Sequence, residues 1–253
     1  MRYPDLDTLT ADPDAAPRFH RDGYLCIDRL LDDRLLDEAR TAYDQVISGE
    51  VQARQDRLLG GLIRQVRSPS TDHPYFVDND AVTLGRRLAA TLFGGEPSDY
   101  GKFYEMLIDK PAGTPHETPW HQDIAYFGRP VAPPGFPSAV PDLQIWVALD
   151  DADADNGCMQ FLPTQHGEPC WEHEVASGDP DDEGRLLRCT DGALAAAALA
   201  DAVVGSIPAG GCTVHVPGTP HRTGPNASPR PRRAYIFNIA PRRFVEAAVP
   251  YYD

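Results

Sequence analysis

The chain has 253 residues, 42% hydrophobic and 24% charged, and its 38 acidic against 23 basic side chains give a formal net charge of −15. That balance lacks the basic footprint nucleic-acid binding needs and disfavours docking on an anionic membrane surface. The longest apolar run, residues 193–200, is mostly alanine and far too short to span a bilayer, and Met1-Arg2-Tyr3-Pro4-Asp5 has no apolar leader segment.

In chain order, residues 14–22 predict a short polar helix that stops at Gly23, and Tyr24-Leu25-Cys26-Ile27 a short strand. Leu30, Leu31, Leu35, Leu36, Ala39, Tyr43, Val46 and Ile47 then recur at helical spacing behind Asp32 and Asp33, which predicts an amphipathic helix packed on a sheet. Residues 60–80 are poorly periodic, rich in turn formers and too long for an ordinary connector, so a lid or substrate loop is expected there. Residues 81–93 read as a second helix ending at Gly94-Gly95. From residue 101 the period becomes two, with Tyr104, Met106 and Ile108 on one face of a strand. Further strands are expected at 120–126, 143–150, 158–162, 213–216 and 234–239, and the acidic stretch 167–190 reads as a surface insertion near the mouth of a barrel. Helices followed by many short strands predict an α+β protein, a β-sandwich or barrel with helices on one side. The five cysteines, Cys26, Cys158, Cys170, Cys189 and Cys212, are odd in number and without a CxxC, so reduced thiols in a cytoplasmic protein are expected.

Three side chains carry the chemistry. His121 and Asp123 stand two apart on an expected strand, which points them to one face with their Cα atoms roughly 7 Å apart. His221 lies a hundred residues downstream, at the end of another expected strand. Two histidines and one carboxylate make a facial triad that leaves coordination positions open, as non-haem Fe(II) oxygenases require. Arg232 opens the next strand and offers a guanidinium fork for a distal carboxylate, with Arg230 or Arg233 as alternatives. Ferrous ion, Asp123, dianionic 2-oxoglutarate and Arg232 together come to neutrality, which avoids isolated buried charge. His215 reads as a strand core or surface histidine. His166 and His173, beside Glu172 and Glu174, read as part of a solvated acidic loop.

The text around these residues resembles the phytanoyl-CoA dioxygenase (PhyH-like) family of Fe(II)/2-oxoglutarate-dependent oxygenases. The matching pieces are Phe19 to Leu25, Met106 to Gly113, Trp120-His121-Gln122-Asp123, Trp146 to Asp151, Asn156 to Met159, Leu162 to His166, and His221 to Arg233, in the family's order. The resemblance implies a double-stranded β-helix (jelly-roll) core with flanking helices, one domain over residues 1–253, and dependence on Fe(II), 2-oxoglutarate and O2. It implies His121, Asp123 and His221 as iron ligands, and Arg232 with Thr223 on the C5 carboxylate of 2-oxoglutarate. Met106, Gln122 and Trp146 then line the cosubstrate pocket, with Tyr104 on the strand face of Met106; plain core is the alternative for Trp146. Arg222 and Thr164 depart from smaller family residues, and Arg222 is expected on the substrate side of the iron.

The function expected is oxidation of a C–H bond of a small molecule, by hydroxylation or oxidative cyclisation, in tailoring a secondary metabolite such as a sugar-containing antibiotic. Asp123 argues against halogenation, because halogenating relatives have a small residue there. The acidic charge suggests a neutral or cationic substrate, held by the loops 60–80, 126–140 and 167–190. Candidate contacts are Arg64, Tyr126, Phe127 and Arg222. Two other readings stay open: a non-oxygenase metal-dependent isomerase or epimerase on a cupin-like barrel, and a metal-free binding protein. No sequence signal fixes an oligomeric state.

Overall fold

The computed structural model describes residues 1–59, 62–127, 142–179, 181–182, 186–197 and 199–252. Two sheets face each other. The larger has eight strands in the order Arg2–Asp5, Tyr24–Arg29, Cys212–His215, Leu143–Ala148, Arg232–Pro241, Tyr100–Lys110, Ile63–Arg67 and Asp56–Leu59. The smaller has four, in the order Val203–Gly205, Met159–Phe161, His221–Thr223 and Thr118–His121. All pairings are antiparallel except that of the first two strands of the chain. This is an α+β fold with a double-stranded β-helix core and helices on one side.

The central strands are buried on both faces, so they read as continuous apolar runs. In Leu143–Ala148 every residue is buried. Leu143, Ile145 and Val147 join the core under the helices, while Trp146 and Ala148 join the cluster between the sheets. Helix Asp33–Ile47 is capped by the Asp32 carboxylate, which accepts from the Leu35 amide at 2.9 Å. Helix Asp80–Phe93 lies on the sheet at Gly85, where a Cβ would stand 2.7 Å from Phe237 and 2.9 Å from Ile145. Only glycine permits that approach.

Helix Ala15–Asp22 ends at Gly23, whose φ of 75° is the left-handed C-cap that glycine favours. Two expectations need correction. Residues 60–80 are not one long loop. They complete a hairpin, Asp56–Leu59 with Ile63–Arg67, and then make two 3-10 turns, Pro69–Thr71 and Pro74–Phe76. The expected strand 120–126 stops at His121, and Asp123–Phe127 is a 3-10 turn tied by the Ile124 amide to the Pro217 carbonyl at 3.1 Å. The stretch 167–190 carries a small hairpin, His173–Val175 with Leu187–Cys189, and Cys189 packs with Trp120 and Leu162. The expected loop 126–140 lies outside the described residues from 128 on. All five cysteines are free thiols, four of them buried. No described helix is long and apolar enough to cross a membrane.

Candidate active site

A cavity of about 740 Å³ opens between the two sheets. His121 ends strand Thr118–His121 and His221 begins strand His221–Thr223, and the two are direct partners in the ladder. Their ring centroids are 4.2 Å apart. The turn after His121 brings Asp123 Oδ1 to 3.6 Å from His121 Nε2 and 3.8 Å from His221 Nε2. One ligand atom from each residue lies within 4.8 Å of the others.

The imidazoles are oriented from behind. His121 Nδ1 lies 2.8 Å from the Pro119 carbonyl and His221 Nδ1 2.9 Å from the Thr219 carbonyl. A carbonyl only accepts, so each Nδ1 carries the proton and each Nε2 turns a lone pair toward Asp123. Burial, and then repulsion from His121, push His221 well below its ordinary value. Burial alone would raise the Asp123 carboxyl, but the imidazoles of His221, His121 and His215 around it outweigh burial and hold it well below the carboxylate range. Two unprotonated nitrogens and an ionised carboxylate in one buried spot are the donor set of a divalent transition metal.

Strand alternation also turns His215 inward, and its Nε2 lies 3.3 Å from Asp123 Oδ2. Its ring centroid is 4.3 Å from that of His221. His215 therefore backs the carboxylate, where the sequence suggested an ordinary core or surface histidine. Gln144, a strand neighbour, reaches the same nitrogen at 3.3 Å. The clue was available: Cys212 and Val214 are apolar while the alternate Thr213 and His215 are polar, which marks a strand with a wet inner face.

Deeper in, Arg232 is buried over the Trp146 ring at 5.2 Å, and its Nη1 donates to the Gly157 carbonyl at 2.5 Å. Gly157 has φ of 80°, and a Cβ there would stand 2.4 Å from the Gly224 carbonyl oxygen. The Arg232 Nε is buried without any partner. Lys110 is opposite Arg232 in the ladder and wholly buried, and its ammonium donates to the Gly224 carbonyl and to Thr223 Oγ1, the latter at 3.4 Å. Burial, then the charge of Arg232, push Lys110 down to about 7. Burial likewise lowers Arg232 to about 10. Neither cation has an ion-pair partner among the described residues. Two buried cations with an orphaned N–H fit an anion of carboxylate size.

Arg232, Thr223, Met106, Trp146, Tyr104 and Tyr126 all line the cavity. Arg230 and Arg233 do not compete for the anion: they meet Asp153 and Asp150, each at 2.7 Å. Three expected site residues are elsewhere. Gln122 follows His121 and points to the opposite side, where its amide donates to the Gly218 carbonyl at 2.5 Å and accepts from the Trp171 amide at 2.7 Å. Arg64 is on the outer face of its strand, ion-paired to Asp56 at 2.6 Å. Arg222 also faces outward, 5.3 Å over Trp120 and 3.0 Å from Gln160 Oε1. The Phe127 side chain lies outside the described residues. His173 is not simply solvated: its Nε2 accepts from the Gln122 backbone N–H at 3.0 Å. Lys110, His215, Gln144, Arg57 and Arg67 are the residues that sequence reasoning left without a role in the site.

Fold and site together define a metal-centred double-stranded β-helix protein. The family model described as phytanoyl-CoA dioxygenase (PhyH) matches residues 19–234, and the chain belongs to that family. Among solved structures, EvdO2 from Micromonospora carbonacea var. aurantiaca, complexed with 2-oxoglutarate, is 26% identical with a TM-score of 0.72, covering 91% of each chain. The epimerase SnoN, solved with Fe3+, α-ketoglutarate and nogalamycin RO, is 23% identical with a TM-score of 0.63, over 93% of this chain and 83% of that one. The carbocyclase SnoK from nogalamycin biosynthesis is 19% identical with a TM-score of 0.64, over 91% and 84%. At these identities SnoN and SnoK speak to the fold. No curated protein matched.

Proposed function

We propose that the chain is a single-domain, cytoplasmic Fe(II)- and 2-oxoglutarate-dependent oxygenase that oxidises a C–H bond of a small molecule, tailoring a secondary metabolite such as a sugar-containing antibiotic. The observation that carries this reading is the convergence of His121, Asp123 and His221 on one point, in the same cavity as the buried, partly unpartnered Arg232. The 2-oxoglutarate in EvdO2 supports it. The free thiols suit a reducing compartment.

In this reading His121, Asp123 and His221 hold the iron. Arg232, with Lys110 and Thr223, binds the distal carboxylate of 2-oxoglutarate, and Trp146 and Met106 pack along its stem. Bound together, iron and keto acid supply O2 activation coupled to oxidative decarboxylation, and so the power to break an unactivated C–H bond. The backbone carbonyls of Pro119 and Thr219 fix both imidazole tautomers. His215 fixes the Asp123 carboxylate, and the apolar wall from Ile108, Ile236 and Met159 limits water. A metal-dependent isomerase working without a keto acid is the second reading. It would not need a buried, partly unpartnered arginine in the cavity of the metal triad, and Arg232 favours the first. The test is 2-oxoglutarate-dependent O2 uptake with matching succinate formation. Metal-dependent turnover of a substrate with no succinate formed would support the isomerase instead.

A further inference from the structure

The hairpin Asp56–Leu59 with Ile63–Arg67 carries three arginines, and strand alternation sorts them. Arg64 points outward and is neutralised by Asp56. Arg57 and Arg67 point inward and line the cavity that contains the metal triad. Arg57 Nε donates to Gln65 Oε1 at 2.6 Å and Arg67 Nη2 to Gln55 Oε1 at 2.9 Å, both neutral amides. Neither guanidinium is within ion-pair distance of a carboxylate among the described residues, although Asp181 and Asp182 line the same cavity. Burial, and then the charge of Arg67, push Arg57 down. A chain of net charge −15 has no shortage of carboxylates to pair them with. Two like charges left together on a cavity wall are costly unless an anion joins them.

They line the same cavity as Arg232 but stand apart from it: Arg57 is three strands and Arg67 two strands from the strand that carries Arg232, spacings of about 14 and about 10 Å at the usual strand separation. Tyr104 and Tyr126 also line the cavity. We propose that Arg57 and Arg67 form an anion subsite for the organic substrate, which therefore carries an oxyanion, a carboxylate or a phosphate, away from the carbon that reacts. This rests on the oxygenase reading and revises the neutral or cationic substrate that net charge suggested: the local field of the cavity wall outweighs the overall charge in selecting the ligand.

The test is calorimetric titration with three probes on one scaffold: methyl α-glucoside, methyl α-glucuronide and glucose 6-phosphate. It is run on the chain as purified and again after anaerobic loading with Fe(II) and 2-oxoglutarate. The expected result is that an anionic probe binds about tenfold or more tightly than the neutral one, as charge-assisted hydrogen bonds in a partly dry site should give. The carboxylate and phosphate arms say which oxyanion fits. R57Q/R67Q should erase the preference and R57K/R67K should keep much of it, with iron and 2-oxoglutarate binding unaltered in both. Equal binding of all three probes, or a preference that survives in R57Q/R67Q, overturns the subsite. An intact preference in a chain that does not bind 2-oxoglutarate supports the subsite and overturns the oxygenase reading.

Discussion

The two faces of the large sheet obey different rules although they share the same strands. On the helix side, Ile145, Val147, Tyr235, Phe237 and Ile239 form a dry core. On the cavity side, Gln144, Thr213, His215, Arg232 and Asn238 are just as buried but polar. Several of their atoms have no partner: Thr213 Oγ1, His215 Nδ1, Arg232 Nε and Asn238 Oδ1. Each such group costs on the order of 1–3 kcal/mol, so the cavity face spends stability that the helix face supplies. One face holds the fold, and the other holds positions open for ligands.

Substitutions on the two faces should therefore separate cleanly. The largest effect is expected from Asp123→Ala: ferrous binding and O2 uptake fall below detection, while thermal unfolding is little changed or rises because a buried charge is gone. A large drop in melting temperature with metal binding retained would invert the assignment of faces. Next is Phe237→Ala on the dry face, expected to cost about 3–5 kcal/mol in urea unfolding while leaving the iron affinity of the folded fraction intact. Arg232→Ala should weaken 2-oxoglutarate by about 2 kcal/mol or more, roughly thirtyfold, with iron affinity measured without keto acid unchanged. Equal loss of both ligands would remove Arg232 from its role.

Much of this was legible beforehand. The helices packed on the sheet and the strands with apolar alternation stand close to where periodicity put them, because burial of one face leaves a regular trace. Strand Ile63–Arg67 falls in the stretch 60–80 expected as a loop, because two of its three inward positions, Gln65 and Arg67, are polar and break the alternation that marks a strand. Asp123 reaches the metal point from a turn, not along an extended strand, so i and i+2 spacing gave the right pair through the wrong local geometry. Arg64 and Arg222 lie outside the cavity lining, a placement the sequence could not show because face assignment needs register, and register needs the partner strand. Lys110 carries no local sign of burial; only its ladder position opposite Arg232 shows it.

A pH dependence sharpens the comparison through Lys110. Its value falls from an ordinary 10.5 to about 7 on folding, so between those pH values the unfolded chain binds more protons and stability rises with pH. Lys110→Met should flatten that slope, and at pH 8 calorimetry in buffers of different ionisation heat should find that 2-oxoglutarate binding takes up a proton. An unchanged slope, or no proton uptake, would mean that Lys110 is not the buried cation described.

The most direct measurement is anaerobic addition of Fe(II) to the protein with 2-oxoglutarate, followed by visible absorption. One equivalent of iron should give a weak metal-to-keto-acid charge-transfer band that disappears in His121→Ala and His221→Ala. A wild-type protein that binds no iron, or binds it with the same spectrum whether or not 2-oxoglutarate is present, would contradict the account.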